Sequence, residues 1–267
     1  MLRVAFVSMA FFGSLPVMIA VQLFLARIRS PWWGPCSVAY YRMLRALLRI
    51  KVRVDGELLT GQPVLLVANH VSWVDIVVLA SLAPMVFVAK SEVARWPLIG
   101  GAARAQKVIF VDRTRRQQTA AAVAEIAQRL AERHPVVLFA EGTSSDGNRV
   151  LAFRTALIGA VEAACSAAGM GEIKLQPLSI CYVAQQGLPM GRHERPLVAW
   201  YGDLDFFPHF RAFIRRGVVD AVVGFGAPLV VDGAADRKHI ARSLEASVRT
   251  LTAKARRGQP APAAAAL

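Results

Sequence analysis

Val64-Leu65-Leu66-Val67-Ala68 runs directly into Asn69-His70-Val71-Ser72-Trp73-Val74-Asp75. The first five residues are apolar, have the length of a strand and follow Gly61 and Pro63, so they predict a buried β-strand. The apolar residues 76–82 predict the first turns of a buried helix. His70 is therefore expected at the carboxyl end of the strand, and Asp75 in the first turn of the helix.

The spacing of His70 and Asp75 suits a general base at such a corner. On one uninterrupted helix, residues five apart point about 140° away from each other. Across a strand–loop–helix corner, the carboxylate can accept a hydrogen bond from one ring nitrogen while the other nitrogen faces a substrate hydroxyl. Ser72-x-x-Asp75 is also a capping box, which would explain both residues at a helix start without any catalysis.

The composition indicates contact with membranes and with acidic partners. The chain has 267 residues, enough for one α/β domain with an appendage, and 55% of them are hydrophobic. The net charge of +14 favours anionic lipid headgroups, phosphorylated substrates or nucleic acid as partners. The three cysteines predict no disulfide framework and no zinc site, and the five histidines show no metal-binding spacing, so we expect no metal.

The N-terminal segment predicts a membrane anchor. Residues 4–26 contain no charged side chain, and a helix of that length, about 34 Å, can cross a bilayer. Gly13 and Pro16 leave open whether the segment spans the membrane or bends into an interfacial anchor, and a cleaved signal peptide is a competing interpretation. The arginines that follow predict that the rest of the chain lies in the cytoplasm.

The segment after this anchor predicts a membrane-surface element. Trp32 and Trp33 stand where interfacial aromatic residues belong. The basic residues between Arg42 and Arg53 alternate with apolar ones, which predicts an amphipathic helix lying on an anionic leaflet. The alternative is a solvated helix of the catalytic domain itself.

Strand-like and helical patterns alternate along the remaining chain. Strands are predicted at residues 64–68, 85–89, 108–111, 136–140, 174–182 and 218–225, and helices at 117–134, 155–168 and 237–255. This alternation predicts an α/β fold with a mixed, largely parallel sheet flanked by helices. We expect an anchor over residues 1–51, a domain over 52–257 and a disordered Ala/Pro tail over 258–267. Ligands of such sheets bind beyond the carboxyl ends of the strands.

Two further polar clusters follow predicted strands. Arg113 comes directly after Ile109-Phe110-Val111-Asp112, where a guanidinium can bind a phosphate or carboxylate, although a plain surface arginine is the simpler interpretation. Glu141-Gly142-Thr143 follows the strand that ends at Ala140, and glycine there supplies a tight turn.

Together these stretches resemble the glycerolipid acyltransferases, typified by 1-acylglycerol-3-phosphate acyltransferase. The resemblance implies that His70 deprotonates an acceptor hydroxyl and that Asp75 orients His70. It also implies that Arg113, Glu141, Gly142 and Thr143 hold the acceptor. The partners it implies are a lysolipid, a thioester of acyl carrier protein or coenzyme A, and an anionic membrane surface, with no cofactor. The implied location is a bacterial inner membrane, with the catalytic domain on the cytoplasmic side.

The sequence departs from the family pattern at three positions. Lys107 stands where the family has Gly, Ala140 replaces a Pro, and Ser144 replaces an Arg. The missing arginine would help to neutralise a phosphate, and the Glu-Gly-Thr-Ser-Ser-Asp-Gly form looks closer to the branch that acylates lyso-ornithine lipid, whose headgroup is zwitterionic. Arg149 and Arg154 could supply charge nearby.

Two other classes of function remain open from the sequence. A serine-dependent lipid hydrolase would use Ser144 or Ser145 as nucleophile, but the sequence Gly142-Thr143-Ser144-Ser145-Asp146 lacks the second glycine of G-x-S-x-G. A basic nucleic-acid-binding protein would need stacking aromatics or a reading helix, and no such motif is present. We therefore expect no nucleic-acid partner.

Overall fold

The structure is a computed structural model that describes residues 2–112, 116–167, 169, 173–231 and 236–259. Its α-helices are α1 (Leu2–Arg27), α2 (Trp33–Leu47), α3 (Val74–Ala80), α4 (Ile99–Ala105), α5 (Arg116–Ala131), α6 (Thr155–Ala167), α7 (Phe206–Arg215) and α8 (Arg237–Arg256). Its strands are β1 (Ile50–Asp55), β2 (Val64–Ala68), β3 (Val86–Lys90), β4 (Ile109–Val111), β5 (Val136–Phe139), β6 (Ile173–Gln185), β7 (Leu188–Pro189), β8 (Val219–Phe225) and β9 (Leu229–Val231). Arg113 lies outside the described residues, as does the predicted tail from residue 260 onward.

One mixed sheet organises the described part of the chain. Its main path runs β1-β8-β6-β2-β5-β3-β4, and the short strands β7 and β9 also pair with β6. Strand β6 is antiparallel to β8, β7 and β9, whereas the other pairings are parallel. The predicted mixed, largely parallel sheet flanked by helices is therefore confirmed.

Strand β2 lies in the middle of this sheet and has the bounds that its sequence predicts. All five of its residues are buried, as expected for a strand covered on both faces. Leu66 belongs to the core that includes residues of α1, α2, α3 and α7. Leu65 and Val67 belong to the core on the other face, which includes residues of α5, α6 and α8. Burying a leucine side chain contributes about 1.5–3 kcal/mol, so both layers hold β2 firmly in place.

Helix α1 is apolar on all sides but packs on the domain along one stripe. It runs without interruption through Pro16, and within the described residues it is the one helix long and apolar enough to cross a membrane. Its buried stripe faces α2, α4 and α7 and consists of Val7, Phe11, Leu15, Met18 and Gln22. Its opposite side is exposed at Leu2, Phe6, Met9, Val17, Val21, Leu23 and Phe24.

The predicted basic helix through Arg53 is wrong, because α2 ends at Leu47. Residues 50–55 form β1 instead, which pairs with β8 along its whole length. The reason is visible in the sequence Ile-Lys-Val-Arg-Val-Asp, since strict alternation of apolar and charged residues has the period of a strand.

Other side chains of this region also serve the domain. Arg42 donates to the carbonyl oxygen of Ser81, just beyond the end of α3, where a positive charge is favourable. The prediction of an interfacial Trp33 is wrong: its indole N–H donates to the carbonyl of Ala105, and the side chain is buried. Trp32, in contrast, is exposed.

Candidate active site

His70 and Asp75 meet at the carboxyl end of β2. His70 Nδ1 lies 2.7 Å from Asp75 Oδ2, and the histidine side chain is 21% exposed, whereas that of the aspartate is fully buried. A carboxylate accepts hydrogen bonds, so Nδ1 carries the proton and Nε2 is left as the basic ring nitrogen. The predicted histidine–carboxylate pair is present in the structure.

The carboxylate of Asp75 also organises the loop before α3. Oδ2 accepts the backbone N–H groups of Val71 at 2.7 Å and Ser72 at 3.0 Å, and Oδ1 accepts the Tyr182 hydroxyl at 2.7 Å. Only half of the predicted capping box forms, because the buried Ser72 hydroxyl has no hydrogen-bond partner in the described structure. Asp75 therefore fixes the start of α3 and orients His70 at the same time.

The backbone and ring of His70 are held from the neighbouring strand β5. Its N–H donates to Glu141 Oε2 at 3.1 Å, and its carbonyl accepts the N–H of Ser145 at 2.9 Å. Its ring stacks on Phe139, with ring centroids 4.0 Å apart and planes inclined by 19°. These contacts hold the imidazole in one position, from which a base within hydrogen-bond reach can take a proton from a bound hydroxyl.

Glu141 lies beneath the active-site loops. Oε2 accepts the N–H of His70, Oε1 accepts the N–H of Leu151 at 2.8 Å, and the residue is 2% exposed. Burial raises the pKa of Glu141 to about 8, although the two N–H donors oppose that shift. The geometry shows a carboxyl group that ties two loops together, and direct contact of Glu141 with an acceptor stays a prediction.

Gly142 and Thr143 line the space in front of His70. Gly142 has a φ of +75°, a conformation that glycine adopts without strain, and it turns the chain sharply after β5. The exposed Thr143 follows this turn. The structure therefore brings His70, Asp75, Glu141, Gly142 and Thr143 together, while Arg113 lies outside the described residues.

The hydroxyl groups of the two serines in this loop have other partners than His70. The Ser144 hydroxyl donates to the carbonyl of Trp200 at 2.5 Å, and the Ser145 hydroxyl accepts the N–H of Gly147 at 3.3 Å. In the described contacts neither hydroxyl pairs with His70, as a nucleophile activated by this base would have to. The arrangement does not support a serine hydrolase.

The two arginines expected near the site differ in where they lie. Arg154 Nε donates to the carbonyl of Glu141 at 3.4 Å, so its guanidinium lies beside this loop. Arg149 lines a separate, small cavity of about 10 Å³ together with Arg195 and Arg256.

A cavity of about 550 Å³ opens at His70 and extends beneath the N-terminal helices. Its walls are mostly apolar or aromatic, as in sites that bind hydrocarbon. They include Phe11, Leu15 and Met18 of α1, Tyr40, Tyr41 and Leu44 of α2, and Ile76 and Val77 of α3. The sequence did not reveal this cavity, since it depends on how α1 and α2 dock on the domain.

An aromatic cluster joins α1, α7 and Trp73, which precedes α3. Trp73 lies 6.1 Å from Phe11 and 5.6 Å from Phe210, measured between ring centroids, and its indole N–H donates to His209 Nδ1 at 3.0 Å. Burial lowers the pKa of His209, so the ring stays neutral and keeps this nitrogen as an acceptor. Sequence reasoning missed His209, which follows Trp73 by 136 residues.

Comparisons with known proteins agree with this geometry. A family model described as "Acyltransferase" matches residues 49–181, the range that contains His70, Asp75 and Glu141. The chain is 43% identical to a lyso-ornithine lipid O-acyltransferase of Brucella abortus, over 92% of this chain and 92% of that protein. It is 41% identical to a lyso-ornithine lipid O-acyltransferase of Rhizobium meliloti, over 97% of this chain and 94% of the relative.

More distant similarities point the same way. A 1-acyl-sn-glycerol-3-phosphate acyltransferase of Neisseria meningitidis is 33% identical over 46% of this chain and 52% of its own length. The crystal structure of the 1-acyl-sn-glycerophosphate acyltransferase PlsC from Thermotoga maritima matches with a TM-score of 0.66 at 19% identity. That match covers 95% of this chain and 93% of the other, and it shows a shared fold.

Proposed function

We propose a specific acceptor and a specific donor for this chain. The chain belongs to the acyltransferase family and is a lysolipid O-acyltransferase. The proposed acceptor is lyso-ornithine lipid, and the proposed donor is the thioester of acyl carrier protein or coenzyme A. The observation that carries this proposal is the His70–Asp75 pair at the mouth of a mostly apolar cavity. Two relatives named for lyso-ornithine lipid match more than nine-tenths of this chain, which supports the acceptor.

The proposed reaction needs one base and forms no covalent acyl-enzyme. His70 Nε2 removes the proton from the acceptor hydroxyl, and the oxygen attacks the carbonyl carbon of the thioester. The C–O ester bond forms, the C–S bond breaks, and the proton on His70 passes to the leaving sulfur, which departs as a thiol. Asp75 stabilises the imidazolium that exists between these two proton transfers.

The hydrogen bond of Ser144 supports lyso-ornithine lipid as the acceptor. Its hydroxyl holds the carbonyl of Trp200, so this wall of the cavity presents a serine and an indole rather than a guanidinium. A phosphate-bearing acceptor would gain less from such a wall than from an arginine, whose fork matches phosphate oxygens. Headgroup contacts from Gly142, Thr143 and Arg113 belong to the same proposal.

The proposed location is the cytoplasmic side of a bacterial inner membrane. The exposed apolar side of α1 supports this, since an uncovered surface of this kind is unfavourable in water and favourable among lipids. The net charge of +14 favours an anionic lipid surface and an acidic carrier protein. The acyl chain of the donor would occupy the apolar cavity beside His70.

Acyl transfer by membranes that contain the protein tests this proposal. Acyl carrier protein thioester and acyl-CoA are each supplied with lyso-ornithine lipid or with lysophosphatidate. His70→Ala should lose transfer by about 10²-fold or more, because a positioned base contributes that much. His239→Ala, a change of an exposed histidine on α8, is the matched control and should remain active.

Each outcome of this assay is informative. Transfer to lyso-ornithine lipid in preference to lysophosphatidate supports the acceptor, and the reverse preference contradicts it. Substantial residual turnover by His70→Ala would contradict the assignment of the base.

A further inference from the structure

Tyr182 is a buried side chain in β6 that contacts Asp75 of the His70–Asp75 pair. It is 3% exposed, and its hydroxyl donates to Asp75 Oδ1 at 2.7 Å. This is the same distance as that between Asp75 Oδ2 and His70 Nδ1 on the other side of the carboxylate. Tyr182, Asp75 and His70 thus form one continuous line of hydrogen bonds that ends at the cavity.

The register between β2 and β6 places Tyr182 there. The two strands are parallel, with Ala68 opposite Leu178. The side chain of Asn69 then continues this pairing: its amide donates to the carbonyl of Ile180 at 2.9 Å, and its oxygen accepts the N–H of Ile180 at 2.9 Å. Tyr182 is two residues further along β6, on the same face as Ile180, and so reaches beneath the first turn of α3.

One oxygen of the Asp75 carboxylate, Oδ1, depends on Tyr182 for a hydrogen-bond donor. Oδ2 receives three N–H groups, from the imidazole and two backbone amides, whereas Oδ1 accepts the Tyr182 hydroxyl. A buried carboxylate oxygen without a donor is costly, so this hydroxyl fixes how the carboxylate is turned. Burial, and then the charge of Asp75, raise the pKa of Tyr182 well above its ordinary value of 10, and the phenol remains a donor.

We propose that Tyr182 is a positioning residue for the acyl transfer: its hydroxyl holds Asp75 Oδ2 towards His70 and limits the negative charge that Asp75 offers to the imidazolium. This inference rests on the proposed function, in which His70 is the base. According to this inference, strand β6, through Tyr182, helps to set the pH range in which His70 accepts a proton.

The other ionisable groups around this line are few and stay constant in the test. Glu141, in the loop after β5, accepts the backbone N–H of His70, Arg154 donates to the carbonyl of Glu141, and the charge of Arg249 acts on the Glu141 carboxyl. Lys90 and Glu92 line the same cavity as His70. Cys181 is the chain neighbour of Tyr182, and burial raises its thiol pKa. None of these groups is altered when the Tyr182 hydroxyl alone is removed.

The test compares Tyr182→Phe with a matched control on the same strand. Ser179→Ala removes another buried hydroxyl of β6, which hydrogen-bonds Thr252 at 2.7 Å and does not touch Asp75. Both variants are assayed in membranes for kcat, for the KM of the lysolipid and for the pH dependence of kcat/KM. Thermal unfolding measures what each lost hydroxyl costs in stability.

We expect Tyr182→Phe to lower kcat by about 10-fold or more, as for other hydrogen bonds to a charged group, and to leave KM unchanged. The acidic limb of its kcat/KM profile should move to higher pH, because a carboxylate that has lost one donor holds the imidazolium more strongly. Ser179→Ala should keep the wild-type profile. The proposal is overturned if Tyr182→Phe keeps the wild-type kcat and pH profile. It is also overturned if Tyr182→Phe loses only as much kcat as Ser179→Ala does and the acidic limb of its kcat/KM profile does not move.

A second variant avoids dependence on a protein that has lost a buried hydrogen bond. Fluorotyrosine incorporated at position 182 keeps the contact but is a more acidic and therefore stronger donor, so the acidic limb should move to lower pH. An unchanged limb would contradict the proposal. Absence of transfer by the wild-type protein would instead contradict the proposed function, which separates the two failures.

Discussion

Asp75→Asn removes the negative charge of the His70–Asp75 pair with almost no change in volume. The carboxylate is fully buried and accepts hydrogen bonds from His70, from two backbone N–H groups and from Tyr182. An asparagine oxygen in the place of Oδ2 keeps the backbone contacts, and its amide then faces Tyr182, whose hydroxyl must turn to accept. What the variant loses is the negative charge opposite the imidazolium.

The size of the effect follows from this burial. Removing one partner of a buried ion pair costs about 3–5 kcal/mol, and here that cost falls on the state in which His70 is protonated. At about 1.4 kcal/mol per tenfold change in rate, kcat should fall by roughly 10²- to 10⁴-fold. Asp75 does not line the cavity, so the KM of the lysolipid should change little.

Initial rates over a range of lysolipid concentrations measure both constants. Asp55→Asn is the matched control, since Asp55 pairs with the half-exposed Arg53 on the edge strand β1, and such pairs contribute little. Thermal unfolding of both variants shows whether the protein remains folded. A kcat of Asp75→Asn within a few-fold of wild type, with the fold intact, would refute the role of this carboxylate in stabilising the imidazolium.

Two further predictions concern the loop after β5. Because burial raises the pKa of Glu141 from 4.5 to about 8, the folded protein binds this proton more tightly than the unfolded chain does, and the resulting stability is full below pH 4.5 and lost as pH rises through 8. Glutamine does not titrate, so Glu141→Gln should remove this contribution, up to roughly 5 kcal/mol, from the pH dependence of the unfolding free energy. Equal slopes of unfolding free energy against pH in variant and wild type would contradict a raised pKa of Glu141. Ser144→Ala and Ser145→Ala should each keep kcat within a few-fold, because His70 needs no serine; an acyl group trapped on either serine would instead support a hydrolase-like mechanism.

The parts of the fold that sequence predicted well are those with local signals. The run Val64–Ala68 is uniformly apolar and bounded by breakers, and its strand has the predicted ends. His70 and Asp75 are five residues apart, so one strand–helix corner was enough to bring them together. The basic strand β1 also had a local signal, the alternation of residues 50–55, but the neighbouring helix and the high charge concealed it.

The parts that sequence did not predict depend on contacts between distant segments. Tyr182 follows Asp75 by 107 residues, and its role depends on the register of β6 against β2. Trp33 is of a residue type and in a sequence position typical of a membrane interface, but its indole is buried because α4 packs against it. The family motif predicts that Glu141 binds the acceptor, which stays a prediction, but it does not reveal that both carboxyl oxygens accept backbone N–H groups of other loops.

The two sides of α1 have a practical consequence for making a water-soluble form of the enzyme. Deleting the helix would open the cavity, since Phe11, Leu15 and Met18 form part of its wall. It would also remove Phe11, one of the aromatic neighbours of Trp73. Solubility is better sought by redesigning only the outward side, with polar residues in place of Phe6, Met9, Val17 and Phe24, so that the same helix keeps its inner stripe and continues to close the cavity beside His70.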